Sequence, residues 1–465
     1  MKPLRAFYTS LCLLPWTFHP TNAKDKFDPT SYASSDVITC DVAVIGGGSS
    51  GTYGAINLHK RGQSVVLVEK EAVLGGHTNT YTDPLTNITI DYGVQAYWNI
   101  PVTQNYLDYL GIETTEYTGY SRKEFYANFE TGQEVTFTAS SNYTAYVKQI
   151  ERYPYLEWSW NLPNPVPSDL LLPFAKFMQK YDLEDLGYNV FWAAQGLSNV
   201  LEQLTVNVFK IFDKSFIDAI QGGDVRSVDG NGEIYNKASA ILKGKVLYSS
   251  QVVASSRPAD GTHVKLGVAT PTGNKLIIAS KLLVSIPPLL NNMKPFGLTT
   301  RESNIFSQWS YSGYYTILVN NTGLPSGYRF RNANAATLSN IPKLPGPYQI
   351  TETNIPGLFY IWYGSPYALE EAAVKKDITA VIRRLQKAVG ANGCPVPHFV
   401  EFKSHTPFKL VVSGDSIRHG FYGDLEELQG YRNTWYTGAA VISHSSAILW
   451  NFTETLLPQL IAAQS

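Results

Sequence analysis

Gly46-Gly47-Gly48-Ser49-Ser50-Gly51 follows directly on the apolar run Val42-Ala43-Val44-Ile45. A short, continuous apolar run of this kind belongs to a parallel strand buried on both faces. The glycines of the turn have separate duties: Gly46 permits the tight turn, Gly48 lets a pyrophosphate approach the backbone, and Gly51 lets the next helix pack closely. That helix is predicted from about Ser50 to His59, with Gly54 and Ala55 keeping its sheet-facing side small and Gly62 ending it. Its unpaired N–H groups and partial positive charge face the phosphates. A second apolar strand, Val65-Val66-Leu67-Val68, ends at Glu69, 18 residues after Gly51, where a carboxylate accepts hydrogen bonds from ribose hydroxyls. Strand, turn, helix, strand and acid in this order define an α/β dinucleotide-binding fold. Gly46, Gly48, Ser50, Gly51 and Glu69 are its expected cofactor-binding residues.

At 465 residues the chain exceeds one compact core and has room for two or three units around a buried cofactor. A formal net charge of −1, without clustered Lys and Arg, argues against a nucleic-acid partner. The 30 Tyr, 21 Phe and 9 Trp suit large apolar clefts instead. Residues 1–23 read as a signal peptide: Lys2 and Arg5 give a positive start, 6–18 is mostly apolar, and Thr21-Asn22-Ala23 is a small-residue cleavage site. No later run approaches the roughly 18 apolar residues of a membrane helix, so no stable membrane span is expected. Sequons at Asn87, Asn142, Asn320 and Asn451 agree with a secretory route, ending outside the cell or in an organelle lumen. There Cys40 and Cys394 are free to pair, although Cys40 equally suits a small buried hydrophobe. No Cys/His spacing matches a zinc site.

The pattern continues past the second strand. Leu74-Gly75-Gly76-His77-Thr78-Asn79-Thr80 resembles the Gly-Gly motif of flavin amine oxidases and phytoene desaturases, in which Arg commonly stands where this chain has His77. Asp91-Tyr92-Gly93-Val94-Gln95 looks like the Asp-x-Gly segment of that superfamily. Trp435-Tyr436-Thr437-Gly438-Ala439-Ala440 resembles its late glycine-containing strand, with Ala439 in place of the usual acid. Gln251-Val252-Val253 and residues 282–288 resemble its middle segment, where a strand passes the adenine. The nearest resemblance is to fungal secreted flavoproteins of the β-cyclopiazonate dehydrogenase type, carried by residues 75–80, 91–98 and 435–450. It implies FAD as cofactor, held further by Gly76, His77, Val252, Gly438 and Ala439. It also implies a Rossmann-like FAD domain of the glutathione reductase type, discontinuous over 36–95, 221–290 and 410–465. A mixed α+β substrate-binding domain then occupies 96–220 and 291–409, with strands at 314–319 and 357–363, a largely helical stretch over 170–220, and a helix from about Leu369 to Val389.

No second glycine turn follows a strand, so the chain offers no second dinucleotide fold for NADPH. The substrate is therefore the expected electron donor and oxygen the expected acceptor. The expected function is an FAD-dependent oxidoreductase that takes a hydride from an apolar natural product, by dehydrogenation or oxidative cyclisation of a terpenoid or prenylated alkaloid in fungal secondary metabolism. The alternative is a secreted amine or amino-acid oxidase producing hydrogen peroxide. Tyr97, Trp98 and Tyr436 are the candidates for an aromatic surface over a developing cation, and His405 and His444 for a proton acceptor. His77 places a nucleophilic imidazole near the cofactor, either for covalent attachment to the flavin or for a hydrogen bond.

Overall fold

Four buried residues, Val42 to Ile45, place the strand Val37–Ile45 between two parallel neighbours, Val65–Val68 and Gly273–Val284. The computed structural model describes residues 25–259, 262–391 and 393–463, so the expected signal peptide lies outside the described residues. Val246–Leu247 continues the sheet in parallel beyond Val65–Val68, and Thr434–Tyr436 pairs in parallel with the last residues of Gly273–Val284. The first half of that long strand instead pairs antiparallel with Val264–Thr270, which pairs with Gln251–Ser256. A parallel sheet thus carries an antiparallel meander on one edge. The helix after the glycine turn runs Ser49–Lys60 and packs against the C-terminal helix Ser446–Ala462, with Trp450 fully buried between Tyr53 and Tyr97. The helix Pro101–Leu110 joins this layer through Tyr106, although it falls in the stretch assigned by sequence to the substrate domain.

A second sheet has the order His398–Ser404, Ser310–Asn320, Phe359–Ser365, Gly346–Glu352, Tyr328–Asn332 and Lys123–Ala127, with Phe408–Val411 also pairing to Ser310–Asn320. Its pairs are antiparallel except the last, where Tyr328–Asn332 and Lys123–Ala127 run parallel. Alternation along each strand divides the side chains between two faces. Tyr315, Ile317, Val319, Phe359, Ile361 and Tyr363 meet the helix Glu371–Ala388, whose stripe Val374, Ile378, Val381, Ile382 and Leu385 is buried against them. Tyr314, Leu318, Tyr360 and Trp362 belong to the opposite face, in one core with the helical segment that contains Phe174–Lys180, Gly187–Ala193 and Thr205–Phe209.

Arg257, just past the meander's first strand, makes a bidentate pair with Glu302 at 2.8 and 3.0 Å, and both side chains are completely buried. Glu302 opens the helix Thr300–Phe306 through a capping box with Thr299. Cys40 is buried in its strand, where burial pushes its thiol up to about 12, while Cys394 is exposed. Both cysteines are free, so the pairing that an oxidising lumen permits is not made. Among the described residues no helix is long and apolar enough to cross a membrane.

Candidate active site

Glu69 ties the end of its strand to the glycine turn, accepting the Gly47 N–H at 2.5 Å through Oε2 and the Glu71 N–H at 2.8 Å through Oε1. A Cβ at position 51 would run into the Gly46 carbonyl, so the close helix start requires glycine there. Gly48 differs. Its φ of −73° suits any residue, and a Cβ on it would meet protein only at Gly76 Cα, 3.8 Å away. The demand for glycine at position 48 therefore comes from the ligand side.

Gly76 lies against Gly48, which joins the turn and the Gly-Gly loop into one cradle. Around it Ser50 Oγ is buried without a hydrogen-bond partner, and Thr78 Oγ1, Tyr97 Oη and Tyr235 Oη are buried beside one another without a well-formed hydrogen bond. Unpaired hydroxyls in an interior are costly unless a ligand satisfies them, and a cofactor bearing phosphates and ribityl hydroxyls supplies that need. Ser49 Oγ and Ser446 Oγ are 3.0 Å apart, which sets the N-terminus of the C-terminal helix beside that of the glycine-turn helix. Two positive helix ends thus meet at one place. Ser250 donates its N–H to the Glu69 carbonyl at 2.8 Å and so holds the start of the Val252 strand beside the same acid. Gly438, at φ 106°, turns the late strand toward Ala439, which borders a small recess with Lys409 and His444. These residues fit FAD: the cradle for its pyrophosphate, Glu69 for ribose, and the Gly438–Ala440 strand end for the ring system.

Beyond the cradle opens a cavity of about 700 Å³. His77, Tyr97, Trp98, His405 and His444, scattered over the chain, all line it, as do Ser445 and Ser446 at the start of the C-terminal helix. Tyr436 does not. Its hydroxyl donates to Glu302 Oε1 at 3.1 Å and its ring packs on Phe306, so the aromatic surface expected of it is corrected to a structural role beside the buried ion pair. The chain reaches the cofactor side only two residues later, at Gly438. Tyr97 stacks on Trp450 at 5.2 Å, and Trp98 packs near Ala447 and Ile448, so both form the wall beneath the helix.

Three imidazoles occupy one end of the cavity. His77 lies flat on His405 with ring centres 4.3 Å apart, and Phe408 flanks His77 at 5.4 Å. The His77 side chain meets open cavity space but is enclosed by protein, and this enclosure pushes its pKa down to about 4. Burial lowers His405 and His444 well below the usual histidine range too, with neighbouring cationic groups adding to the effect. His405 Nε2 is 2.9 Å from Asn79 Oδ1, an oxygen that can only accept, so the neutral ring carries its hydrogen on Nε2 and keeps a free lone pair on Nδ1. His444 is the reverse. Its Nε2 accepts the Lys409 N–H at 3.1 Å, which puts its hydrogen on Nδ1 and makes it a donor to the cavity. Of the two expected proton acceptors, the geometry leaves His405 able to accept.

Residues not singled out by sequence complete the walls. Trp192, Tyr314, Tyr360 and Trp362 make another part of the wall aromatic, and Phe408 joins it to the imidazole end by stacking on Tyr314 at 4.7 Å. Asp213 Oδ1 accepts the Phe216 N–H at 2.7 Å and caps the helix Lys214–Ile220, while Oδ2 has no partner and burial pushes the carboxyl up to about 7. Lys409 is 8% exposed and lines the same cavity.

A dinucleotide cradle opening into a large aromatic cavity defines an FAD-dependent oxidoreductase. Residues 44–110 match the NAD(P)-binding Rossmann-like domain family. The chain is 39% identical to the FAD-dependent oxidoreductase pigF of Monascus ruber, covering 94% of this chain and 95% of that protein. It is 36% identical to β-cyclopiazonate dehydrogenase of Aspergillus oryzae, covering 92% and 94%. Among solved structures it is similar to a fatty acid isomerase from P. acnes that produces CLA, with a TM-score of 0.70 at 16% identity over 90% of this chain and 98% of that one. It is also similar to a putrescine oxidase, with a TM-score of 0.64 at 15% identity over 92% and 100%. The chain belongs to the family of fungal FAD-dependent oxidoreductases that includes β-cyclopiazonate dehydrogenase. The likeness to the two solved structures is one of fold.

Proposed function

We propose that this enzyme removes a hydride from an activated C–H bond, allylic or beside a heteroatom, of a bulky and largely apolar natural product of fungal secondary metabolism. FAD, when bound, supplies the two-electron acceptor, and oxygen is the proposed final acceptor. The observation that carries the proposal is the cavity of about 700 Å³ that is walled by aromatic rings and adjoins the cofactor cradle. Aromatic faces there, Trp98 and Phe408 among them, stabilise positive charge as it develops on the substrate carbon. His405 Nδ1 then accepts the proton if an alkene forms, and an internal nucleophile closes a ring if it does not. The name of one relative, β-cyclopiazonate dehydrogenase, supports an oxidative reaction on such a molecule. The amine-oxidase alternative has only the distant fold likeness behind it.

The test is incubation in air with prenylated alkaloids, terpenoids and simple amines. A product lighter by two hydrogens, with peroxide released, supports the proposal; aldehyde and ammonia from the amines, with no change in the apolar compounds, refute it. A secretory location is also proposed, and Asn87, Asn142 and Asn320 are exposed. His77, whose neutral ring has no hydrogen-bond partner among the described residues, is proposed to meet the flavin, by a hydrogen bond or by covalent attachment. Colourless protein after acid precipitation, with all the flavin in the supernatant, refutes the covalent form.

A further inference from the structure

Tyr97, in the cavity wall, is the inner end of a run of rings that reaches the molecular surface. It stacks on Trp450 with ring centres 5.2 Å apart, and Trp450 stacks on Tyr53 at 5.9 Å, the planes lying 15° and 14° from parallel. The Tyr53 hydroxyl donates to Glu454 Oε2 at 2.9 Å. Glu454 follows Trp450 by one helical turn, its side chain is 39% exposed and it pairs with Arg61, so the run ends on a solvated carboxylate. Tyr106 touches Trp450 and Tyr53 edge-on, at 4.9 and 4.8 Å.

Tyrosine and tryptophan give up one electron more readily than the other aromatic side chains, and an oxidised phenol sheds its proton at once to any base within reach. Along this run only Tyr53 has a base. The Trp450 indole N–H and the Tyr106 hydroxyl are buried without a partner, and the Tyr97 hydroxyl lies beside those of Thr78 and Tyr235, which are no bases at neutral pH. Other rings of the wall lack such an exit. Tyr117 and Tyr314 donate to the amide oxygens of Gln95 and Gln195, each at 2.7 Å, and an amide takes no proton. The remaining Tyr and Trp contacts from the wall join Tyr360 to Tyr120 and Trp362, Trp362 to Trp192, and Tyr314 to Tyr348. Among the described residues none of those phenols is bonded to a carboxylate.

We propose that Tyr97, Trp450 and Tyr53 form an electron path from the cofactor site to the surface, which quenches a strong one-electron oxidant formed there, the light-excited flavin or a peroxide-derived radical. One electron leaves Tyr53 and passes through Trp450 and Tyr97 to the oxidant, which is reduced by that electron. The phenolic proton moves to Glu454, and a neutral tyrosyl radical stays at Tyr53, away from the cavity. The path needs bound FAD and no substrate, so it stands or falls separately from the hydride proposal.

The experiment excites FAD-loaded protein with blue light, without substrate or oxygen, and follows radicals by transient absorption and by electron paramagnetic resonance of frozen samples. A long-lived neutral tyrosyl radical is expected in wild type. Y53F and W450F should lose it, E454Q should form less of it, and Y106F, beside the direct run, should match wild type. Each variant is first checked for FAD content and melting temperature. Y53F and E454Q change only a hydroxyl and a charge, so they decide the matter if W450F fails to fold. The proposal is overturned if wild type forms no tyrosyl radical, if the signal survives in Y53F or in folded W450F, if E454Q matches wild type, or if Y106F loses the signal.

Discussion

At the residue scale, Gly48 separates what the fold requires from what the ligand requires. Its extended backbone and the 3.8 Å clearance to Gly76 leave room for a side chain within the protein. G48V should therefore fold with a melting temperature close to that of wild-type protein stripped of FAD, yet purify colourless; full FAD content in G48V would contradict the cradle. The imidazoles carry a second prediction. His77, His405 and His444 all have folded pKa values below the usual 6.5, so between that value and their folded pKa the unfolded chain binds more protons than the native one. Stability then falls as pH drops below about 6.5 and is unaffected by these groups above it. Melting curves from pH 7.5 to 5 should show this loss, with a shallower slope in H405Q. An equal slope in wild type and H405Q would exclude His405 as a source of the acid sensitivity.

At the scale of elements, the Arg257–Glu302 pair joins the meander to the helix Thr300–Phe306, and Tyr436 brings the late strand to the same carboxylate. Removing one partner leaves a charge buried and unpaired. E302Q should thus lose about 3–5 kcal/mol in denaturant unfolding, and Y436F about 1 kcal/mol; a loss in E302Q no larger than in Y436F would show that the pair is not holding these elements. How far these elements can be read from sequence depends on burial. The run Val42 to Ile45, the glycine turn and Val65 to Val68 are legible because a doubly covered parallel strand and a phosphate turn leave few alternatives. The helix expected from about Leu369 to Val389 is found at Glu371–Ala388, since its apolar stripe has one face and one period. Tyr314 to Val319 also reads as a strand, but both of its faces are covered, so nothing in its composition tells Tyr314, on the cavity face, from Tyr315, on the helix face. Lys409 is hidden for a related reason: it sits inside the apolar run Phe408-Lys409-Leu410-Val411, where a lysine reads as a strand edge. Tyr436 misses the expected surface because its strand is covered on both sides: Trp435 belongs to the helix-side core, Tyr436 is held by Glu302 and Phe306, and neither lines the cavity.

For the whole molecule, the cavity lies where two separately built layers meet. The parallel sheet and its helices contribute the cradle, His77 and the start of the C-terminal helix, while the second sheet contributes Tyr314, Trp362, His405's neighbour Phe408, and Lys409. No second glycine turn stands behind a strand in this chain, so the proposed source of electrons is the substrate itself. In the proposed reaction the outcome, alkene or ring, is left to His405 or to the substrate's own nucleophiles. The most direct test is anaerobic mixing of the purified, FAD-loaded enzyme with a substrate found in the aerobic screen, followed by admission of oxygen. The visible flavin absorbance should be lost on mixing without any nicotinamide and return with oxygen as peroxide appears; flavin that stays oxidised with substrate alone, and turnover that starts only when NADPH is added, would contradict the proposed direction of electron flow.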